Sequence, residues 1–372
     1  MSACIEQIQA REPEVQAWAY FDAEHALVQA KHADSNRSSG QPLGPLHGVP
    51  VGIKDIIDTG DMPTEDGTPL HAGRNPWHDA KVVDLLRRSG AIIMGKTVTT
   101  ELATYFPGKT RNPHNPAHTP GGSSSGSAAA VAAGMVPLAL GTQTNGSLIR
   151  PASYCGVFGF KPSRGLVSRQ GILRQSERLD QVGGFARSIE DIALLGEVIS
   201  GYDADEPGMS PRADIPMLRV CKEEPPFAPK FALIKTPWWK QLDEDTRDGF
   251  DELVDHLRIS VGDFELPDSA SAVLDWHNTV MEADLAANYE VEYERGKDKL
   301  SAALREQLER GQTVSAVNYL RALARIPIVT DALDEIFDRY DAIITPATSG
   351  SAPLGLESTG NPMYCTLWTF CG

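Results

Sequence analysis

Short apolar runs alternate with helical patterns along the first half of the chain, and this alternation constrains the fold more than any other feature. Helical patterns at residues 79–89 and 127–133 separate the runs. Helices that connect strands pack on the faces of a sheet. The pattern therefore predicts an α/β fold with a mixed central β-sheet covered by helices on both faces. The apolar runs lie at residues 46–57, 91–94, 135–140 and 155–160.

The rest of the chain is predicted to be mainly helical. Residues 5–34 carry apolar side chains at helical spacing and predict one or two amphipathic helices. Charged, helix-favouring sequence predicts a helical layer at about residues 240–340, and residues 340–346 return to a strand pattern. We expect one large domain over residues 1–372, with a catalytic core at about 44–200.

Composition limits the classes of partner. The chain has 34 Lys and Arg against 50 Asp and Glu, a net charge of −16, which argues against nucleic-acid binding because phosphate contacts need clustered cations. No apolar run approaches the roughly 20 residues of a membrane span, and the N-terminus does not resemble a signal peptide. Five cysteines without paired or metal-type spacing indicate reduced thiols. We expect a cytoplasmic protein.

Three familiar motifs match in their letters but not in their structural context. Residues 90–97 fit the phosphate-loop pattern, yet the four variable residues are a buried strand rather than an exposed loop. Ser124 fits the G-x-S-x-G nucleophile elbow, but the prolines within residues 112–120 exclude the preceding strand that this elbow needs. His114 and His118 have the spacing of a helical metal pair. The same prolines prevent this segment from forming the helix that such a metal pair needs.

A segment rich in glycine and serine at residues 119–127 has two interpretations. Such a composition is typical of a flexible linker or of a tightly turned active-site loop. Apolar elements flank the segment on both sides, which favours the loop. A serine hydroxyl both donates and accepts hydrogen bonds, so Ser123 is a candidate proton relay.

Lys54 is a candidate general base because it lies in the mainly apolar stretch VPVGIKDII. Lysine activates a serine only when it is neutral, and burial lowers the lysine pKa. The alternative, an ion pair with Asp55 at a strand end, stays open on the sequence alone.

Ser147 is the candidate nucleophile. It follows a turn containing Asn145 and Gly146, both of which tolerate positive φ, and such a turn can direct successive N–H groups toward one oxyanion. Arg150, three residues later, either holds a substrate carboxylate or braces the loop. Both roles stay open here.

These residues give the chain a clear resemblance to the amidase signature family. The stretches TPGGSSSGSAAAVAAG and PLALGTQTNGSLIRPASYCGVFGFKPS resemble the family's signature, and GVPVGIKD resembles its lysine motif. Ser123 follows Lys54 by 69 residues and precedes Ser147 by 24, as in the family. The resemblance implies a nucleophilic Ser147, a bridging Ser123 after a cis peptide bond, and Lys54 as terminal base.

The resemblance also implies an oxyanion hole formed by the N–H groups of Thr144, Asn145, Gly146 and Ser147. Asn145 stands where the family usually has glycine, and Gln143 where many members have aspartate, which we expect to change the lining of the loop. Arg150 lies three residues after the nucleophile, as in malonamidase-like members.

The function implied by the resemblance is hydrolysis of the C–N bond of a small carboxamide through an acyl-enzyme, with no metal or organic cofactor. The alternatives are the glutaminase component of an aminoacyl-tRNA amidotransferase and an inactive, truncated homologue, because family members continue with further strands beyond the segment LWTFCG. The expected partner is a small amide, and a homodimer is a candidate assembly.

Overall fold

The computed structural model describes residues 1–257, 261–266 and 268–372. The first part of the chain alternates helices with strands, as the sequence predicts. The elements up to residue 160 are α1 (Ser2–Val15), β1 (Trp18–Phe21), α2 (Ala23–Ser38), β2 (Pro50–Lys54), α3 (Lys81–Arg88), β3 (Ile92–Thr97), α4 (Ser125–Ala132), β4 (Leu138–Gln143), α5 (Ile149–Cys155) and β5 (Phe158–Phe160).

The second part of the chain is richer in helix. Its elements are β6 (Gln181–Ala186), α6 (Ile189–Ile199), α7 (Met217–Val220), β7 (Phe231–Lys235), α8 (Glu244–Leu257), β8 (Val261–Glu265), α9 (Ala272–Asn288), α10 (Glu290–Gly296), α11 (Ala302–Gln312), α12 (Ala316–Leu323), α13 (Arg325–Phe337), β9 (Ala342–Ile344) and α14 (Met363–Cys371).

The predicted mixed sheet is confirmed. Its strand order is β1-β3-β2-β4-β6-β5, with β2 parallel to both β3 and β4, and with β1 and β6 antiparallel to their neighbours. Successive residues of β4 face opposite sides, since Leu138 and Leu140 join the core under α3 and α6, whereas Ala139 joins the core under α1 and α4. Helices therefore cover both faces of the sheet.

The N-terminal prediction needs one correction. Residues 5–34 do form two helices, but Trp18, which the helical spacing included, lies in β1. Trp18 pairs with Thr97 of β3 and is buried, with its indole N–H 3.3 Å from the sulfur of Met135. Trp18 of this edge strand therefore belongs to the core under α1 and α4.

A second sheet was not predicted. Strands β7, β8 and β9 form a parallel sheet in the order β8-β7-β9, and only β9 lies within a predicted strand. Ala232 and Ile234 of β7 pack with α9, α11 and α13 in a core of their own. Among the residues described, no helix is both long and apolar enough to cross a bilayer.

Candidate active site

The three candidate catalytic residues come from adjacent places at one edge of the central sheet. Lys54 is the last residue of β2, Ser123 lies just before α4, and Ser147 lies between β4 and α5. Because β2 and β4 are parallel neighbours, their carboxyl ends meet at the same edge. In open α/β sheets this is the edge where ligands bind.

Lys54 is fully buried and contacts the predicted relay serine. Its Nζ lies 2.7 Å from Ser123 Oγ and 2.9 Å from Thr142 Oγ1. Burial lowers the lysine pKa well below its ordinary value, and the carboxylate of Asp180 opposes this shift. A lysine with a pKa lowered by burial is a competent proton acceptor.

Asp55 pairs with Lys96 rather than with Lys54. Lys96 Nζ lies 3.5 Å from Asp55 Oδ1 and donates to Ile57 O at 2.8 Å and to Thr64 Oγ1 at 2.5 Å. Burial raises the pKa of Asp55 to about 7, against the effect of the Lys96 ammonium. Lys96 is also the lysine of the phosphate-loop pattern, and strand β3 contains both Lys96 and three of the four residues, 91–94, that were predicted as a strand.

The glycine and serine segment is a turn leading into α4. The Gly122–Ser123 peptide bond is cis, as the family resemblance implies. Ser124 Oγ lies 3.2 Å from both the carbonyl and the N–H of Thr142, and Ser125 Oγ lies 3.4 Å from Val98 O. Ser124 follows no strand, which agrees with the rejection of the nucleophile elbow. Ser123 is the serine of this segment that contacts Lys54.

Gln143 anchors the candidate oxyanion loop instead of lining it. Its Oε1 accepts from the N–H groups of Leu148 at 2.8 Å and Ile149 at 3.0 Å, at the start of α5. Its Nε2 donates to Thr369 Oγ1 at 2.8 Å. The expectation that glutamine changes the lining is therefore wrong, because both ends of this amide bond to the scaffold.

Helix α14 holds Asn145 through two threonines. Thr369 Oγ1 lies 2.5 Å from Asn145 O, and Thr366 Oγ1 lies 2.7 Å from Asn145 Oδ1. Asn145 Nδ2 donates to the hydroxyl of Tyr105 at 3.2 Å. Asn145 stands where the family usually has glycine, and its side chain is fixed by hydrogen bonds with Thr366 and Tyr105.

His277 of α9 hydrogen-bonds the carbonyl of Thr144, the residue before Asn145. Its Nε2 lies 2.9 Å from Thr144 O. The ring is fully buried, and burial lowers its pKa to about 4. A neutral ring bonded to a carbonyl carries its proton on that nitrogen. Sequence reasoning did not single out His277, because nothing in its own helix distinguishes it.

Ser147 opens onto a small cavity. The serine is half-buried, and the cavity has a volume of about 20 Å³. Within the described parts of the chain, the N–H groups of Asn145, Gly146 and Ser147 donate to no protein acceptor. Free N–H groups beside a hydroxyl are what an oxyanion hole requires.

Arg150 lies beneath the loop. It is buried, and its Nη2 donates to Gly122 O at 2.6 Å and to Thr359 Oγ1 at 3.1 Å. Burial lowers its guanidinium pKa. Arg150 does not line the cavity of Ser147, so its contacts are those of a bracing residue. Its Nε and Nη1 have no hydrogen-bond partner within the described residues.

The two loop histidines each bond to a backbone carbonyl. His114 Nε2 lies 2.8 Å from Cys155 O, and His118 Nδ1 lies 2.7 Å from Ala352 O. Over residues 1–257, 261–266 and 268–372 we find no group of three or more His, Cys, Asp or Glu side chains arranged to hold a metal ion.

Comparison with known proteins places this architecture in a family. The family model described as Amidase matches residues 1–371. The GatA-type component of the glutamyl-tRNA(Gln) amidotransferase from Lachnospira eligens is 32% identical over 98% of this chain and 82% of its own length. Its counterpart from Chloroflexus aurantiacus is 43% identical over 58% of this chain, and the match spans only 45% of that relative.

A solved structure shares the whole fold. The native peptide amidase from Stenotrophomonas maltophilia aligns with a TM-score of 0.85 and 28% identity, over 100% of this chain and 84% of the other. The family model matches nearly every residue, and the solved structure shares the fold. The chain therefore belongs to the amidase family.

Proposed function

We propose that the chain hydrolyses the C–N bond of a small carboxamide. The observation that carries the proposal is the hydrogen bond from Lys54 to Ser123 at a fully buried site, because it joins a base of lowered pKa to a hydroxyl that can pass on a proton. Membership of the amidase family supports the same chemistry.

In the first half of the reaction, Ser147 Oγ attacks the carboxamide carbon. Its proton moves to Ser123 Oγ, while the proton of Ser123 moves to the neutral amine of Lys54. The carbonyl oxygen becomes an oxyanion, which the free N–H groups of the loop stabilise. Removal of one such donor typically raises the activation barrier by about 2.7–4 kcal/mol. The same relay then returns a proton to the leaving nitrogen, the C–N bond breaks, and an acyl ester on Ser147 remains.

In the second half, water replaces the amine. Lys54, neutral again, accepts a proton from water through Ser123, and the resulting hydroxide attacks the ester carbon. The tetrahedral intermediate collapses, the carboxylic acid leaves, and Ser147 recovers its proton from the relay. Arg150 acts in this scheme as a positioning residue, because it holds the carbonyl of Gly122, whose peptide bond carries Ser123.

A second candidate function rests on the relatives. Several are named as the GatA-type component of a glutamyl-tRNA(Gln) amidotransferase, and the triad proposed here would serve that activity equally well. Co-purification with a second protein chain, together with glutaminase activity that depends on tRNA, would favour this alternative. Hydrolysis of simple amides by the isolated chain would favour the first.

The test combines labelling with matched variants. We expect Ser147→Ala and Lys54→Ala each to abolish hydrolysis of a panel of small amides while leaving the melting transition cooperative, and Ser39→Ala at an exposed position to keep full activity. A serine-directed fluorophosphonate should modify Ser147 in peptide maps. Label on Ser124, or full activity of either alanine variant, would refute the assignment. A folded wild-type protein without turnover on any amide would favour an inactive homologue.

A further inference from the structure

Gln307 presents an unused amide to the nucleophile's cavity. It lies in α11 and is only 3% exposed, yet it lines the same cavity as Ser147. Among the residues that the structure describes, none hydrogen-bonds its side chain. The amide is not among the buried polar groups that are sealed from water without a partner, so it reaches the cavity space and is available to a ligand.

Close packing of two helices puts Gln307 at this position. Gly311, one turn later on the same face of α11, lies so near α9 that a Cβ there would stand 2.0 Å from Glu282 O. The approach brings the face of α11 that carries Gln307 against Met281 and Leu285 of α9, which form the apolar part of the cavity wall.

The other polar groups of the cavity are mostly occupied. Gln175 accepts from Thr144 Oγ1 at 2.5 Å and donates to the carbonyls of Leu102 and Ala103. The hydroxyl of Tyr105 accepts from Asn145 and keeps its own proton available. Apart from Ser147 itself, Gln307 is the described cavity residue whose side chain has both a free donor and a free acceptor.

None of the described residues that form the cavity wall carries a charge. The neighbouring Arg310 and Glu282 form an ion pair with each other at 2.5 Å. Arg150, whose Nε and Nη1 lack a partner, lies beneath the loop and not in the wall. A carboxylate or ammonium group in the cavity would therefore lose hydration without a direct ion pair in the wall. The cavity is also small, which favours a short acyl part.

We infer that Gln307 selects the acyl part of the substrate, and that this part is small, uncharged and ends in a hydrogen-bonding group such as a hydroxyl. The inference rests on the proposed function and specifies its substrate class. It disfavours acyl groups that end in a charge, free glutamine among them, and it leaves to Arg150 the bracing role that its contacts describe.

Three amides of similar length separate these possibilities: 3-hydroxypropionamide, its apolar counterpart butyramide, and the charged malonamate. Their affinities are measured by ligand-observed NMR on the Ser147→Ala protein, so that no turnover interferes. We expect 3-hydroxypropionamide to bind at least about tenfold more tightly than either other amide. Adding Gln307→Leu should reduce that preference over butyramide to near one. Gln312→Leu, an exposed glutamine in the same helix, should leave it unchanged.

Several results would overturn the inference: a preference unaffected by Gln307→Leu, tightest binding of malonamate, or no binding of any amide. Turnover by the protein with Ser147 intact is scored separately. Selective binding without turnover would support the role of Gln307 and refute the proposed hydrolysis, whereas turnover without a Gln307-dependent preference would do the reverse.

Discussion

Replacing Gln143 with methionine tests how the loop before Ser147 is held. The native side chain accepts two backbone hydrogen bonds at the start of α5 and donates one to Thr369 of α14. Methionine has a similar length and no donor, and it is tolerated well in a core. The substitution therefore removes the three hydrogen bonds with little change in packing.

The expected cost follows from those contacts. Each buried hydrogen bond contributes roughly 1 kcal/mol net, and the added apolar surface of methionine recovers roughly 1 kcal/mol. We expect the free energy of unfolding to fall by about 2 kcal/mol. Since the N–H groups of the loop lose their anchor to two helices, kcat on a small amide should fall by about tenfold to a hundredfold.

Urea unfolding followed by circular dichroism measures the first effect, and steady-state kinetics the second. Gln41→Met, at an exposed position, is the matched control and should change stability by less than about 0.5 kcal/mol. A double-mutant cycle with Thr369→Val should return a coupling of about 0.5 to 1.5 kcal/mol. A loss below about 1 kcal/mol for Gln143→Met, with unchanged kcat, would refute the anchoring role.

Two further predictions concern pH. Because burial lowers the pKa of Lys54, the unfolded chain binds more protons than the folded one between that lowered value and the ordinary lysine value near 10.4. Lys54→Met abolishes this linkage and also removes two hydrogen bonds at every pH, so its melting temperature relative to wild type should be higher at pH 7 than at about pH 10.5. A relative melting temperature that does not fall over this range would contradict this. Hydrogen bonds that His71 donates to Asp66 and then to Glu292 raise the pKa of His71 to about 9, so its stabilisation is complete below the unfolded value near 6.5 and lost as pH rises through 9. His71→Gln should accordingly lower the melting temperature more at pH 6 than at pH 10, and equal losses would count against this interpretation.

The parts of the site that the sequence predicts are those encoded locally. Ser123 and Ser147 lie in one signature segment, and an out-of-pattern lysine in an apolar stretch marks Lys54. The contacts that hold the loop come from elsewhere. Thr369 reaches Gln143 across 226 residues, and His277 reaches Thr144 across 133. Neither has an unusual residue type or spacing, so only the folded chain shows their role.

The same distinction applies to the fold, because only the strands with a clear local sequence pattern were predicted. Strands β2, β3 and β4 were predictable because they are buried apolar runs that alternate with helices. Strand β6, which contains two adjacent glycines, was not predicted. Strand β8 escaped prediction because its residues are mostly polar or half-exposed, as Asp263 and Glu265 show. Trp18 was misplaced because an apolar residue in a short edge strand fits helical spacing equally well.

The threonines of α14 that hold the candidate oxyanion loop also bear on how the protein folds during synthesis. A chain that folds during synthesis can form the central sheet, Lys54 and Ser123 before α14 exists. The loop that precedes Ser147 acquires its final anchors only when the segment containing Thr366 and Thr369 returns to it, a closure of more than 200 residues. On the proposed mechanism, a nascent chain would therefore carry Ser147 in an unassembled site, and activity would arise late in folding.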